Sequence, residues 1–200
     1  MSDDWMPELH PDWYKDISPM HYLILGSFPP HKDKRDYPFF YPNTRNRFWK
    51  ILADLSGEKL QWAKIDEAKA VQERYEIMKR LKVGVQNLGY EIHRKRKSAL
   101  DTNIRIMEFH NIISILRTHP EIKRILLPGF SATHSTAKSF IKYLQQKEIT
   151  VDSIPDFKPE ATFKIYFDKR WIDCVILNST STASKIKYEF LLDQFRRNLM

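Results

Sequence analysis

The apolar run "HYLILGS" at residues 21–27 constrains the fold most strongly, because a "FPP" segment follows it directly. A strand that is apolar on both faces belongs at the centre of a sheet covered on both sides. Gly26 allows a tight exit from such a strand, and Pro29 with Pro30 stiffens the loop beyond it. Three later runs have the same character, at residues 82–89, 123–129 and 171–177.

Helical patterns separate these apolar runs. Residues 44–56 carry one apolar stripe, with Thr44 as the expected N-cap and Gly57 just beyond the last turn. The same spacing predicts further helices over residues 66–81, 103–117, 132–146 and 184–198.

This alternation predicts an α/β fold, a three-layer α/β/α domain around a central, mainly parallel four-stranded sheet. We expect one domain over residues 1–200, with a hairpin near residues 163–177 contributing its second arm to the sheet. Ligands of such sheets bind outside the carboxyl ends of the strands. Function is therefore expected in the loops at residues 26–30, 86–89, 128–131 and 178–183.

Composition narrows the class of protein. The hydrophobic content of 42% suffices for a full core, and the net charge of +8 favours a polyanionic partner, although it also serves solubility. A single cysteine, Cys174, excludes an intrachain disulfide and a cluster held by four thiolates. We expect a cytoplasmic monomer, because nothing in the sequence resembles a signal peptide or a membrane span.

Two segments combine features suited to nucleic acid. Residues 31–46 mix cations, among them Arg45, with aromatic rings that can hold a base beside a phosphate backbone. The run "HRKRKS" at residues 93–98 offers four consecutive cations for phosphates. A solvated loop explains either segment equally well. The four cations are Arg94, Lys95, Arg96 and Lys97.

Several motifs resemble the uracil-DNA glycosylase superfamily. "GSFPP" ends the first strand, "NRFW" opens a helix at residues 46–49, and "LNSTSTA" lies at residues 177–183. "SALDTNIR" at residues 98–105 and "LLPGFSA" at residues 126–132 match more loosely. The motifs occur in the family's order. They are similar to the mismatch-specific uracil branch and more so to the hypoxanthine-DNA glycosylase branch.

The resemblance implies an enzyme that flips a damaged base out of DNA and hydrolyses its glycosidic bond. Neither cofactor nor metal is implied, and His31, His93 and His134 lack ligand-like spacing. The implied catalytic residues are Asn46 and Asn87. The implied base-binding residues are Gly26, Ser27, Phe28, Pro29, Tyr41 and Phe48. Ser179, Thr180 and Ser181 join Arg45 and the four cations as the implied DNA-binding residues.

The chain also departs from the family pattern. Phe28 occupies the position where the uracil and mismatch branches place the Asp or Asn that activates water, and it cannot move a proton. Asn87 stands where relatives often have Asp, and Asn178 and Thr182 replace prolines. An amide such as Asn46 can orient water or hold a base edge, but it can also simply cap a helix.

Three hypotheses follow. The first is a monofunctional glycosylase for a deaminated base, with hypoxanthine ahead of uracil or xanthine. The second is a catalytically silent relative that binds nucleic acid. The third, a hydrolase of free nucleotides or nucleosides, is disfavoured because the chain has no Gly-rich phosphate loop, nucleophile elbow or acidic cluster.

Overall fold

The structure, a computed structural model, describes residues 5–96, 98, 103–130 and 135–200. The strands of this part are β1 (Trp5–Leu9), β2 (Tyr22–Gly26), β3 (Val83–Asn87), β4 (Gly89–Lys95), β5 (Ile104–Phe109), β6 (Arg124–Phe130), β7 (Thr150–Val151), β8 (Thr162–Phe167) and β9 (Arg170–Asn178). The helices are α1 (Phe48–Ser56), α2 (Glu67–Leu81), α3 (Ile112–Thr118), α4 (Thr136–Gln146) and α5 (Tyr188–Leu199).

The main sheet has the order β3-β2-β6-β9-β8-β7. Its first four strands are mutually parallel, whereas β8 and β7 add antiparallel neighbours at one edge. The predicted α/β class and the mainly parallel sheet are therefore confirmed. The sheet has six strands and not the four expected, because β8, the first arm of the predicted hairpin, and β7, which was not expected, both join it.

The crossovers place the helices on both faces of this sheet. The chain moves from β2 to β3 in one direction and from β3 through β6 to β9 in the other. Right-handed crossovers in opposite directions put their helices on opposite faces. Helices α1, α2 and α5 accordingly pack together on one face, while α4 packs on β6 and β7 from the other.

A second sheet, of order β1-β4-β5, was not expected from the sequence. The predicted helix over residues 103–117 is wrong, since residues 104–109 form β5 and α3 begins only at Ile112. The strand β4 occupies residues that were expected to form a loop. Strand pairing explains why both segments form strands, because Ile92 of β4 lies opposite Ile106 of β5 and the two side chains cover Phe28. Met107, within β5, is 56% exposed.

The predicted end of α1 is confirmed, whereas its predicted start is wrong. Gly57 ends α1 in the left-handed conformation, at φ 74°, as predicted. The start of α1 is not at Thr44, however. Both the backbone N–H and the hydroxyl of Thr44 donate to Asp36 Oδ2 at 2.7 Å, and the helix begins four residues later at Phe48. The segment before α1 is thereby free to line a site.

Arg94 joins the small sheet to the loop after β2. Its side chain is 1% exposed and donates to Glu8 Oε2 at 2.6 Å and to the carbonyl oxygens of Pro29 and Ser98 at 2.7 Å. Arg35 contacts the other oxygen of Glu8 at 3.2 Å. A buried cation is tolerated when its donors are satisfied in this way.

Replacing Arg94 with alanine should lower the free energy of unfolding by about 3–5 kcal/mol, because it leaves two carbonyls and part of a carboxylate without donors. The exposed neighbour Lys95 provides the control, and Lys95→Ala should change stability by less than about 0.5 kcal/mol. Urea unfolding of both variants measures the difference. Equal stabilities would contradict the structural role of Arg94.

Candidate active site

A cavity of about 340 Å³ lies at the carboxyl ends of the parallel strands, where an α/β sheet is expected to bind its ligand. Residues 26–30 and Asn87 form its floor, and residues 179–182 form the opposite side. Tyr41, Pro42, Asn43, Arg45, Asn46, Pro128, Gly129 and Thr136 complete the lining. Among the described residues that line the cavity, only Arg45 has a charged side chain. The other polar groups are side-chain amides, hydroxyls and backbone N–H and C=O groups.

Asn46 is held by its carbonyl oxygen. Its Oδ1 accepts from the backbone N–H of Phe48 at 2.9 Å and from the hydroxyl of Thr180 at 2.8 Å. Because both donors point at one atom, they fix which end of the carboxamide is oxygen. Among the residues that the structure describes, none accepts a hydrogen bond from Asn46 Nδ2. The side chain therefore caps the start of α1 with its oxygen and keeps an amide donor for a ligand.

Arg47 fastens the loop that faces Asn46. Its guanidinium donates to the carbonyl oxygens of Thr180, Ser181, Ser184 and Ile186, and its backbone N–H also donates to Thr180. The Arg47 side chain, next to Asn46 in the sequence, therefore holds this loop against the start of α1.

Asn87 ends β3 beneath the cavity, 5% exposed. Its Nδ2 lies 3.0 Å from Nε2 of His10, which follows β1. Its Oδ1 lies against Gly26, so closely that a Cβ atom added there would stand 2.3 Å from this oxygen. Glycine at position 26 is thus required by the close approach of Asn87.

His10 is neutral in this environment. Burial lowers its pKa to about 3, and the neighbouring His110 and Arg35 act in the same direction, against a hydrogen bond to the carbonyl oxygen of Pro11. Burial also lowers the pKa of His110. The cavity is consequently flanked by two histidines that stay uncharged at neutral pH.

The structure brings most of the predicted site residues together. The following predicted residues line the cavity: Gly26, Ser27, Phe28, Pro29, Tyr41, Arg45, Asn46, Asn87, Ser179, Thr180 and Ser181. The prediction for Phe48 is contradicted, since it is fully buried and stacks on Tyr41 with ring centroids 3.8 Å apart. Phe48 supports the wall of the cavity from behind. Phe28 is 7% exposed and packs on Ile92 and Ile104 while lining the cavity.

The run of cations behaves differently from its prediction. Arg94 is not a DNA-binding candidate, because its charge is buried on Glu8. Lys95 and Arg96 are exposed but do not line the cavity. Lys97 lies outside the described residues. Strand alternation separates Arg94 from Lys95, since adjacent residues of β4 point to opposite faces, and Arg96 lies beyond the end of β4.

Two site residues were missed by the sequence analysis. His10 reaches Asn87 only because β1 pairs antiparallel with β4, a pairing that carries no local signal. Thr136 lines the cavity and donates to the carbonyl oxygen of Pro128 at 2.7 Å. Its place at the start of α4, after the strand β6, was the available signal.

Comparisons with known proteins found a similar sequence and a similar structure. The chain is 30% identical over 109 residues to a protein named hypoxanthine DNA glycosylase from Methanosarcina barkeri (strain Fusaro / DSM 804). The match covers 54% of this chain and 62% of the relative, which is less than two thirds of the relative's length. No protein-family model matches the chain.

A solved structure has the same fold. The solution NMR structure of a protein from Methanosarcina acetivorans, assigned as a uracil DNA glycosylase, superposes with a TM-score of 0.56. The two chains are 18% identical, and the match covers 90% of this chain and 91% of that one. At 18% identity, this likeness shows that the two chains share a fold. In the part of the chain that the structure describes, no helix is long and apolar enough to cross a membrane.

Replacing Arg47 with lysine should loosen the loop at residues 179–186. Lysine keeps the charge, but its single nitrogen cannot reach the carbonyl oxygens that the guanidinium spans. Amide hydrogen exchange at residues 181–186 should accelerate about tenfold or more, because each lost charge-assisted bond is worth about 1.5–3 kcal/mol. Arg45→Lys, at an exposed side chain, is the matched control. Unchanged exchange in Arg47→Lys would show that the Arg47 guanidinium does not hold this loop.

Acid should destabilise the protein through His10. Between its ordinary pKa of 6.5 and its folded value of about 3, the unfolded chain binds a proton that the native state excludes. Stability therefore falls as the pH decreases through this window. His10→Gln, which does not titrate, should lose about 2–3 kcal/mol less than the wild type between about pH 6.5 and pH 4. Chemical unfolding at a series of pH values measures this, and parallel curves would count against it.

Proposed function

We propose that the protein is a monofunctional DNA glycosylase that hydrolyses the N-glycosidic bond of a flipped deaminated base, with hypoxanthine as the first candidate. The observation that carries the proposal is the Asn46 carboxamide, held by its oxygen and lining the cavity with an unengaged amide donor. The relative from M. barkeri, named a hypoxanthine DNA glycosylase, supports the choice of base.

Asn46 acts on the departing base in this proposal. Cleavage of the glycosidic bond leaves negative charge on the base and positive charge on the sugar. A donor aimed at a carbonyl oxygen of the base stabilises that charge as it develops, and removing one such donor typically costs about 10²–10³ in rate. Because Asn46 Oδ1 already accepts two hydrogen bonds, it is poorly placed to activate water as well.

The remaining groups bind rather than react. Phe28 has no proton to move, so it forms an apolar wall beside the base. Asn87, an amide, holds a base edge and does not replace the carboxylate found in relatives. Arg45 and the loop of Ser179, Thr180 and Ser181 are placed to contact phosphates next to the flipped nucleotide. The exposed Lys95 and Arg96 add a long-range attraction for DNA.

The substitution Asn46→Asp tests this role sharply. The carboxylate keeps an oxygen for Phe48 and Thr180 but replaces the amide donor, so release of hypoxanthine should fall about 10²–10³-fold without a comparable loss of stability. Asn43→Asp adds the same charge to the same cavity and should cost less than tenfold. The measurement is abasic-site formation in an oligonucleotide that contains the lesion. Full activity of Asn46→Asp would show that Asn46 is only a helix cap.

A second candidate function rests on a specific observation. None of the described residues that line the cavity is a carboxylate, so the site has no strong general base for water. A catalytically silent relative that binds nucleic acid would have such a cavity. A panel of single- and double-stranded oligonucleotides containing hypoxanthine, uracil, xanthine or a thymine mismatch separates the two. Salt-sensitive binding with no base released from any of them would favour the silent relative and exclude the glycosylase.

A further inference from the structure

We infer that His10 determines which bases the cavity accepts, by fixing the Asn87 carboxamide with its oxygen turned toward the ligand. The inference rests on the proposed function and extends it to the selection of the base. His10 contacts no substrate in this account and is a positioning residue. The tautomer of His10 and the packing of its ring together fix the hydrogen-bonding edge that Asn87 presents to the cavity.

The tautomer of His10 follows from its two neighbours. Nδ1 lies 2.5 Å from the carbonyl oxygen of Pro11, a contact that requires a proton on Nδ1. The neutral ring then has no proton on Nε2, which is an acceptor. The Asn87 atom 3.0 Å from Nε2 must therefore be the amide nitrogen.

The ring of His10 is held in place on several sides. Ring centroids of Trp13, Phe28 and Phe40 lie 5.5–5.8 Å away, and that of His110 lies at 4.8 Å. The backbone N–H of His10 donates to the carbonyl oxygen of Tyr90. A ring packed in this way cannot turn to offer a donor to Asn87. The orientation of Asn87 is thus imposed from outside the cavity.

The consequence concerns the ligand. With Nδ2 engaged, Asn87 offers the cavity an acceptor, its Oδ1 beside Gly26, whereas Asn46 offers a donor. A base that satisfies both has an N–H next to a carbonyl group. Hypoxanthine and uracil have this edge, whereas adenine and cytosine have an amino donor next to a bare ring nitrogen. The lock on Asn87 therefore favours deaminated bases over their parents.

The size of the effect can be anticipated. A polar group that is built to bond a particular partner is left unpaired when the ligand lacks that partner, and such sites discriminate more strongly than apolar pockets. For one hydrogen bond we expect discrimination on the order of 10- to 100-fold. Hypoxanthine and 1-methylhypoxanthine, which lacks the N1–H, isolate this bond because the bulk of the methyl group is the same for every variant.

The experiment compares release of these two bases by the wild type, His10→Phe and His10→Gln. Phenylalanine keeps a packed ring but removes the acceptor, so the preference for hypoxanthine should fall at least tenfold, mainly through slower release of hypoxanthine. Glutamine restores an acceptor and should retain most of the preference. If His10→Phe slows both bases equally, His10 is merely structural and the inference is overturned. Thermal melting of both variants verifies that they fold.

A second measurement does not depend on turnover. Nitrogen NMR of the wild-type histidines should show His10 protonated at Nδ1 and unprotonated at Nε2 at neutral pH. A proton on Nε2 would overturn the inference whatever the activity. If the wild type releases no base, the proposed function fails separately, and binding of the two free bases then tests the selection. Equal affinities for them in the wild type would reject it.

Discussion

The oxygen of the Asn46 carboxamide is the atom on which the site depends, because it joins two distant parts of the chain. It accepts from Phe48, the first residue of α1, and from Thr180, which lies 134 residues after Asn46. A loss of either bond would let the amide rotate, and about 1 kcal/mol per bond is enough to change its preferred orientation severalfold. Helix capping and ligand binding are therefore two uses of one side chain, divided between its two ends.

The cavity works with neutral dipoles. A carboxylate close to Arg45 and to incoming phosphates would have to be desolvated beside other charges, at a cost of several kcal/mol. Amides and hydroxyls avoid this cost and still supply oriented donors and acceptors. The neutral His10 fits the same scheme, because a protonated ring could not accept from Asn87. The described residues that line the cavity thus offer oriented donors and acceptors but no carboxylate.

The parallel sheet and its loops could be predicted because apolar runs, glycines and helical spacing are local signals. Gly26 and Asn46 were placed correctly at the cavity for that reason. The small sheet could not be predicted, since the pairing between β1 and β4 joins residues far apart in the sequence, such as Glu8 and Ile92. That pairing buries Arg94, although nothing in the sequence distinguishes Arg94 from its exposed neighbour Lys95. It also brings His10 to the cavity, a role that no motif announces.

The last loop shows how tertiary bonds can replace backbone stiffness. Asn178 donates through both its backbone and its side chain to Gln194 of α5, which is fully buried. Arg47 holds the carbonyl oxygens of the loop from the other side. Prolines would fix the loop regardless of its surroundings, whereas these bonds fix it relative to α1 and α5. Because Arg47 adjoins Asn46, one turn of chain positions both the loop at residues 179–182 and the Asn46 amide at the cavity.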